Sequence, residues 1–176
     1  MRHANVLRIG ISRCLLGDPV RFDGGHKRDR LLIDALGQTV EWVPVCPEVE
    51  AGLGTPREPM QLVDNRRAPR LVTVETGVDH TEALRRFARQ RVVELTALHL
   101  CGFVFKSASP SCGLRGVPLF DAQGTDRRDG IGLFAQVFME HFPLIPVEEE
   151  HRLHDPHILK MFLERAADFD NSHHRA

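Results

Sequence analysis

The order of predicted elements in the sequence indicates an α/β fold, with an open, mainly parallel sheet and flanking helices. Short, largely apolar segments typical of buried parallel strands alternate with segments in which apolar residues recur at helical spacing. Polar loops containing glycine or proline separate these segments, and no internal repeat or low-complexity linker interrupts them. Together these patterns predict a Rossmann-like sheet.

The first half of the chain supplies three predicted strands and one helix. Residues 6–12 read Val-Leu-Arg-Ile-Gly-Ile-Ser, a short apolar strand, and a glycine-rich loop follows over 17–25. Helical spacing predicts a helix over 26–36 that ends at Gly37. The valine-rich segment 39–45 is predicted as the second strand and 71–75 as an edge strand.

The second half continues the alternation. A long helix is expected to begin at Asp79 or Thr81 and to run to about Leu98, because apolar residues form one stripe along it. Asp155 and Pro156 have the cap-then-proline order of a helix start. The remaining predictions are a strand over 100–106, a helix over 131–142, a strand over 144–147 and a frayed polar end over 168–176.

Length and composition limit the classes of protein. A chain of 176 residues with 42% hydrophobic residues can bury one core. The formal net charge of -1 argues against tight, non-specific binding of nucleic acid. No apolar stretch has the length of a signal peptide core or a membrane span, so we expect a cytoplasmic protein without disulfides. The four cysteines then need another explanation, namely burial, catalysis or a metal.

Three of these cysteines lie at the ends of predicted strands. Cys14 follows the first strand, Cys46 ends the second, and Cys112 lies in the loop after the strand that ends near Lys106. Loops at the carboxyl ends of parallel strands meet in one crevice, so the three thiols are expected to share a metal site. Cys101 lies inside an apolar strand and is expected to belong to the core.

The residues alone leave the identity of the site open. Ordinary buried cysteines are common in cores and remain an alternative. Thiolate ligands suit zinc or an iron–sulfur cluster. A structural zinc would need a fourth ligand, for which His26 is a candidate. A cubane cluster held by three cysteines would leave one iron open to substrate.

Three motifs carry a resemblance to a known family. They are Val20-Arg21-Phe22-Asp23-Gly24-Gly25-His26-Lys27 after the first cysteine, Cys46-Pro47-Glu48 with Gly52-Leu53 and Pro56-Arg57, and the segment from Lys106 to Gly113. In combination they resemble the TudS-like thiouracil desulfurase family, from Leu7 to about Val147. The resemblance implies a 4Fe–4S cluster on Cys14, Cys46 and Cys112 with the fourth iron open.

The resemblance also implies an activity and its residues. It implies hydrolytic desulfuration of a thiolated uracil base or nucleotide, with Glu48 as the acidic catalytic residue and Ser109 as the catalytic serine. Without it, Glu48 reads as a surface carboxylate and Ser109 as a turn residue before proline. Lys106, His26 and Asp23 are expected to contact the substrate. Asp23 is equally expected to stabilise the turn into Gly24-Gly25.

Two departures from the family pattern bear on the substrate. The chain has no tyrosine, so Phe22 stands where relatives often carry one. Residues 148–176 resemble the start of a second domain that longer relatives use in removing thiouridine from tRNA. We therefore expect a desulfidase domain over 1–147 and a helical extension over 148–176. This favours a small thiolated base or nucleotide over tRNA.

Two alternative functions remain. One is a non-catalytic iron–sulfur or zinc module that senses oxidants or binds a partner. The other is a tRNA 4-thiouridine desulfidase that depends on a separate partner for its affinity for RNA. Neither alternative calls for a membrane.

Overall fold

Strands and helices alternate along the chain as the sequence predicts. The computed structural model describes residues 6–37, 39–64 and 66–173. The strands are β1 (Leu7–Ser12), β2 (Val40–Val45), β3 (Met60–Val63), β4 (Arg70–Thr73), β5 (Gly102–Phe105), β6 (Val117–Phe120), β7 (Asp126–Gly130) and β8 (Val147–Glu149). The α-helices are α1 (Arg30–Leu36), α2 (Pro47–Glu50), α3 (Thr81–Thr96), α4 (Leu133–His141) and α5 (Pro156–His173). Two 3₁₀ helices cover Arg13–Leu16 and Glu150–His154.

The first sheet is parallel throughout and has helices on both faces. Its strand order is β2-β1-β5-β8. Successive side chains of a strand point to opposite faces, and β5 follows this rule. Phe103 and Phe105 pack against α3 and α4, whereas Val104 packs with α1 and α5 on the other face. The predicted α/β fold with a mainly parallel sheet is therefore confirmed.

An aromatic cluster fills the core between the first sheet and α4. The rings of Phe103 and Phe105 stack with centroids 4.2 Å apart, and Phe138 meets the ring of Phe103 edge-on at 4.7 Å. Phe134 completes the group. Rings packed in this way contribute more than their buried area alone.

The last helix, α5, packs on the opposite face of the same sheet. Phe162 and Ala166 are buried there beside Ile9 and Val104. The expected boundary at residue 147 falls at the first residue of β8, which pairs with β5. Residues 148–173 therefore share a core with the rest of the chain.

A second sheet, which the sequence analysis did not predict, has the strand order β4-β3-β6-β7 and mixed pairing. The strand expected over 71–75 is its edge strand β4. The other three strands carry weak sequence signals, because β3 has four residues, β6 contains Pro118, and β7 reads Asp-Arg-Arg-Asp-Gly. Leu62 and Leu119 of this sheet pack against Leu84 of α3 and Leu133 of α4.

Three element boundaries differ from the predictions by three residues or more. Helix α1 begins at Arg30 because the Asp29 side chain caps it, accepting the N–H of Leu32 at 3.0 Å. The last strand of the first sheet begins at Val147, since the preceding residues turn after α4. The frayed end expected over 168–176 is wrong for 168–173, which continue α5; residues 174–176 lie outside the described residues.

Among the described residues, no helix has both the length and the apolar character that crossing a membrane requires.

Candidate active site

The three cysteines predicted to share a site open onto one cleft. Cys14 lies in the 3₁₀ turn after β1, Cys46 directly follows β2, and Cys112 lies in the loop between β5 and β6. Because β1, β2 and β5 are neighbouring parallel strands, their carboxyl ends meet at one edge of the sheet. All three cysteines line a cleft of about 380 Å³ at this edge.

Burial and mutual proximity make these thiols hard to ionise. Burial raises the pKa of Cys14 to about 11, with Lys106 acting in the opposite direction. It also raises the pKa of Cys46, and that of Cys112 to well above its ordinary value. A thiolate on either of the other cysteines adds to the shift of Cys112. Thiols of this kind become good ligands when a metal replaces the proton.

Cys101 lies apart from this group. It precedes β5, is fully buried among core residues, and its Sγ donates to the carbonyl oxygen of Arg8 at 3.3 Å. Its expected place in the core is confirmed. All four cysteines are free of disulfides. Within the described ranges, no three His, Cys, Asp or Glu side chains are gathered closely enough to hold one metal ion.

Glu48 enters the cleft from α2, two residues after Cys46. Arg57 donates to Glu48 Oε2 from Nε at 2.7 Å and from Nη2 at 2.5 Å. The hydroxyl of Ser111 donates to Glu48 Oε1 in a short hydrogen bond. The Arg57 and Glu48 side chains are only 9% and 13% exposed. Glu48 is therefore an oriented, ion-paired carboxylate in the wall of the cleft.

Two of these contacts were missed by the sequence analysis. In the sequence, Arg57 stands out only as part of a motif, and Ser111 only as one residue of the segment from Lys106 to Gly113. Arg57 also donates to the carbonyl oxygens of Val20 at 3.0 Å and Gly54 at 2.8 Å, which ties together two loops of the cleft. Its position nine residues after Glu48 carries no helical or strand periodicity that would link the two.

Ser109 shapes the turn that presents Cys112. Its Oγ accepts the backbone N–H of Ser111 at 3.2 Å and that of Cys112 at 3.1 Å. These bonds satisfy the oxygen as an acceptor and leave its own O–H as a donor at the cleft, which Ser109 lines. The turn expected at this serine is therefore present, and its hydroxyl still faces the site.

The first turn of α4 holds the same loop from behind. The N–H groups of Leu133 and Phe134 donate to the carbonyl oxygens of Pro110 at 3.1 Å and Ser111 at 2.9 Å. A Cβ at Gly132 would lie 2.6 Å from the nitrogen of Cys112. Glycine at this position therefore lets the helix approach the loop backbone.

Of the three residues predicted to contact the substrate, one lines the cleft and two do not. The ammonium of Lys106 lines the cleft but pairs with Glu150 at 2.5 Å. His26 lies outside the cleft, and its Nδ1 accepts the N–H of Arg28 at 3.1 Å. The carboxylate of Asp23 is exposed and accepts the N–H of Gly25 at 2.9 Å, the alternative turn role expected for it. The structure does not bring His26 or Asp23 to the three thiols.

A basic groove adjoins the cleft. Lys27 and Lys106 line both, and the groove also carries His26, Arg28, Arg30 and His154. Two carboxylates in it are already paired, Asp29 with His154 at 2.7 Å and Glu150 with Lys106. Lys27 makes no ion pair with another described residue. The groove is therefore a positively charged surface on a chain whose net charge is -1.

Known proteins match this sequence and this fold. The model of the 2-thiouracil desulfurase family matches residues 9–150. A solved structure of the [4Fe-4S]-dependent thiouracil desulfidase TudS is 32% identical, with a TM-score of 0.68, and the match covers 88% of this chain and 98% of that chain. The uncharacterized protein YbbK of Bacillus subtilis (strain 168) is 29% identical over 111 residues, 58% of this chain and 71% of that protein. The chain therefore belongs to the 2-thiouracil desulfurase family, whose members are enzymes that remove sulfur from thiouracil.

Proposed function

We propose that this chain hydrolyses a thiolated uracil base or nucleotide at a 4Fe–4S cluster held by Cys14, Cys46 and Cys112. Water supplies the oxygen: a C–O double bond replaces the C–S double bond, and sulfur leaves as hydrogen sulfide. Carbon keeps its oxidation state, so the reaction needs no electron donor. The observation that carries the proposal is that three thiols from three neighbouring strands open onto one cleft beside Glu48.

The donor set fits a cluster better than a single zinc ion. A structural zinc gathers four ligands around one point, and His26, the candidate fourth ligand, lies outside the cleft. In a cluster each thiolate binds a different iron, so the three sulfurs stand further apart. The TudS structure that resembles this chain is [4Fe-4S]-dependent, which supports the same cofactor here.

A bound cluster with an open iron would act as a Lewis acid that polarises the C–S bond. The chain's own residues would move the protons. The Glu48 carboxylate is oriented by Arg57 and Ser111, so it can accept a proton from the attacking water and return it to the departing sulfur. The free O–H of Ser109 can donate to the substrate.

The groove beside the cleft favours a nucleotide among the candidate substrates. Lys106 was expected to meet an anion, but its ammonium is held by Glu150 and Ser107. Lys27 lines both the cleft and the groove and is the better candidate. Lys27→Ala should raise KM for 4-thiouridine monophosphate about tenfold, the effect of losing one charge-assisted hydrogen bond. The KM for free 4-thiouracil should be unchanged.

Anaerobic reconstitution with iron and sulfide tests the cluster. The wild-type protein should bind four irons and absorb in the visible range, in keeping with the proposed cofactor. Cys14→Ala, Cys46→Ala and Cys112→Ala should each fail to hold a stable cluster. The matched control is Cys101→Ala, which should retain the iron because Cys101 lies in the core. A colourless protein with stoichiometric zinc would overturn the proposal.

Turnover in water labelled with ¹⁸O tests the reaction. Reconstituted enzyme should release sulfide and place one label in the new carbonyl group of the product. Glu48→Ala should lower kcat on the order of a hundredfold or more, the usual contribution of an acid–base group. A brown protein that releases no sulfide from any thiolated uracil would point instead to a sensor. Activity on thiolated tRNA alone would point to the RNA substrate.

A further inference from the structure

Two consecutive buried glutamates bracket the loop that carries Cys112. Glu149 ends β8 and Glu150 follows it, and they are 1% and 7% exposed. Because β8 pairs with β5 in parallel, Glu149 stands beside Phe105, the last residue before the loop. Carboxylates this deeply buried are rare unless hydrogen bonds compensate them. Among the described residues, every hydrogen-bond donor to these two carboxylates comes from residues 106–115.

Glu150 holds the start of the loop. Its Oε1 accepts from Lys106 Nζ at 2.5 Å and from Ser107 Oγ at 2.7 Å. Its Oε2 accepts the backbone N–H of Ser107 at 2.7 Å. Both oxygens are therefore occupied, and one of the donors is a cation.

Glu149 holds the end of the loop. Its Oε1 accepts the backbone N–H of Leu114 at 2.9 Å and that of Arg115 at 3.4 Å. Its Oε2 accepts no hydrogen bond from another described residue and lies 3.9 Å from His151 Nδ1. Residues 106–115 are thus hydrogen-bonded at both ends to two consecutive residues, the last one of β8 and the one after it, and Ser109 and Cys112 lie between these two ends.

We propose that Glu149 and Glu150 are positioning residues for the active site, setting the place of Cys112 and Ser109 through the two ends of their loop. The inference rests on the proposed function, since it assigns these residues to the geometry of the cluster site. It adds to the site two side chains whose hydrogen bonds go to the two ends of the loop.

The pattern of acceptors predicts that glutamine is tolerated at one position and not at the other. Glu149→Gln keeps a carbonyl oxygen for both amide donors and places its NH₂ toward His151, where no donor is required. Glu150→Gln must place its NH₂ against either Lys106 Nζ or the N–H of Ser107, whichever way the amide turns. Substitution by glutamine therefore preserves the hydrogen bonds between residue 149 and the loop and disrupts those between residue 150 and the loop.

Amide hydrogen exchange of the metal-free protein, measured by mass spectrometry, tests the hydrogen bonds between the loop and the two glutamates without any cofactor. In Glu149→Ala and Glu150→Gln, amides of 106–115 should exchange on the order of tenfold to a hundredfold faster, the factor expected from losing charge-assisted hydrogen bonds. Exchange in α3 should not change. Glu149→Gln should match the wild type. The control is Glu148→Gln, because Glu148 accepts no backbone amide of 106–115. Its Oε1 meets the exposed side chains of Arg115 and Arg152 and accepts the backbone N–H of Glu149, for which glutamine keeps a carbonyl oxygen.

Iron content after reconstitution gives the second measurement. Glu149→Ala and Glu150→Gln should retain less iron than the wild type, while Glu149→Gln and Glu148→Gln retain as much. Equal behaviour of the two glutamine variants, or unchanged loop exchange in Glu149→Ala, would overturn the proposal. If the wild type takes up no cluster, the proposed function fails, and the exchange data still decide whether the two glutamates hold the loop.

Discussion

Removing Arg57 from its buried ion pair with Glu48 should destabilise the fold far more than breaking an exposed arginine–glutamate pair. Arg57→Met leaves the Glu48 carboxylate, 13% exposed, with Ser111 as its remaining hydrogen-bond donor. Breaking a buried ion pair from one side costs about 3–5 kcal/mol. In a protein of this size that corresponds to a fall in Tm of about 6–20 °C.

The comparison uses an exposed pair in the same protein. Arg8 donates to Glu41 from Nε at 3.1 Å and from Nη2 at 3.0 Å, but their side chains are 37% and 54% exposed. Solvent screens such a pair, so Glu41→Gln should cost about 0–1 kcal/mol. Urea unfolding of the metal-free protein, followed by far-UV circular dichroism, measures both free energies of unfolding.

A double-mutant cycle separates the ion pair from the bulk of the arginine. Glu48→Gln alone leaves Arg57 its two carbonyl partners, on Val20 and Gly54. In Arg57→Met with Glu48→Gln, no uncompensated charge remains, so the double variant should be more stable than Arg57→Met alone. A cost below about 1 kcal/mol for Arg57→Met, or a coupling energy below about 0.5 kcal/mol, would refute the interpretation of Arg57 and Glu48 as a buried ion pair.

Three further predictions concern the loop and the core. Hydrogen bonds from Lys106 and Ser107 outweigh burial and lower the pKa of Glu150. The ionised Glu150 should therefore contribute fully to stability above about pH 4.3, and this contribution should be lost as the pH falls through the lowered pKa. The urea midpoints of the wild type and Glu150→Gln should accordingly converge in acid. Gly132→Ala should cost about 1–3 kcal/mol in urea unfolding, since its Cβ would overlap the Cys112 loop; an unchanged midpoint would contradict the close approach. Phe162→Ala should cost about 3–5 kcal/mol in the same assay, whereas its exposed neighbour Met161→Ala should stay within about 0.5 kcal/mol; equal costs would show that α5 does not complete the core.

Most strands of the first sheet could be predicted from the sequence, whereas only β4 of the second sheet could, and the difference has a physical reason. Strand β5 is buried on both faces, β1 is buried over its last four residues, and the edge strand β2 is rich in valine and carries Trp42, so all three stand out in the sequence without knowledge of their partners. Strand β7 consists almost entirely of charged residues and exists because it pairs with β6 at an edge. Because β7 is a strand only through its pairing with β6, its own sequence contains no pattern of apolar residues that would predict it.

The same distinction holds in the site. The cysteines could be identified because thiols are chemically distinctive and end strands that can be recognised separately. From the sequence alone, one expects surface carboxylates at Glu48, Glu149 and Glu150, because glutamate is seldom buried in folded proteins. Ser111 lies 63 residues from Glu48 and Lys106 lies 44 residues from Glu150, so the donors that permit this burial are visible only after folding. Candidate ligands can thus be predicted from residue type and strand position. The hydrogen bonds that orient the side chains around them form between residues far apart in the sequence, and variants of Arg57 and Glu149 test those hydrogen bonds directly.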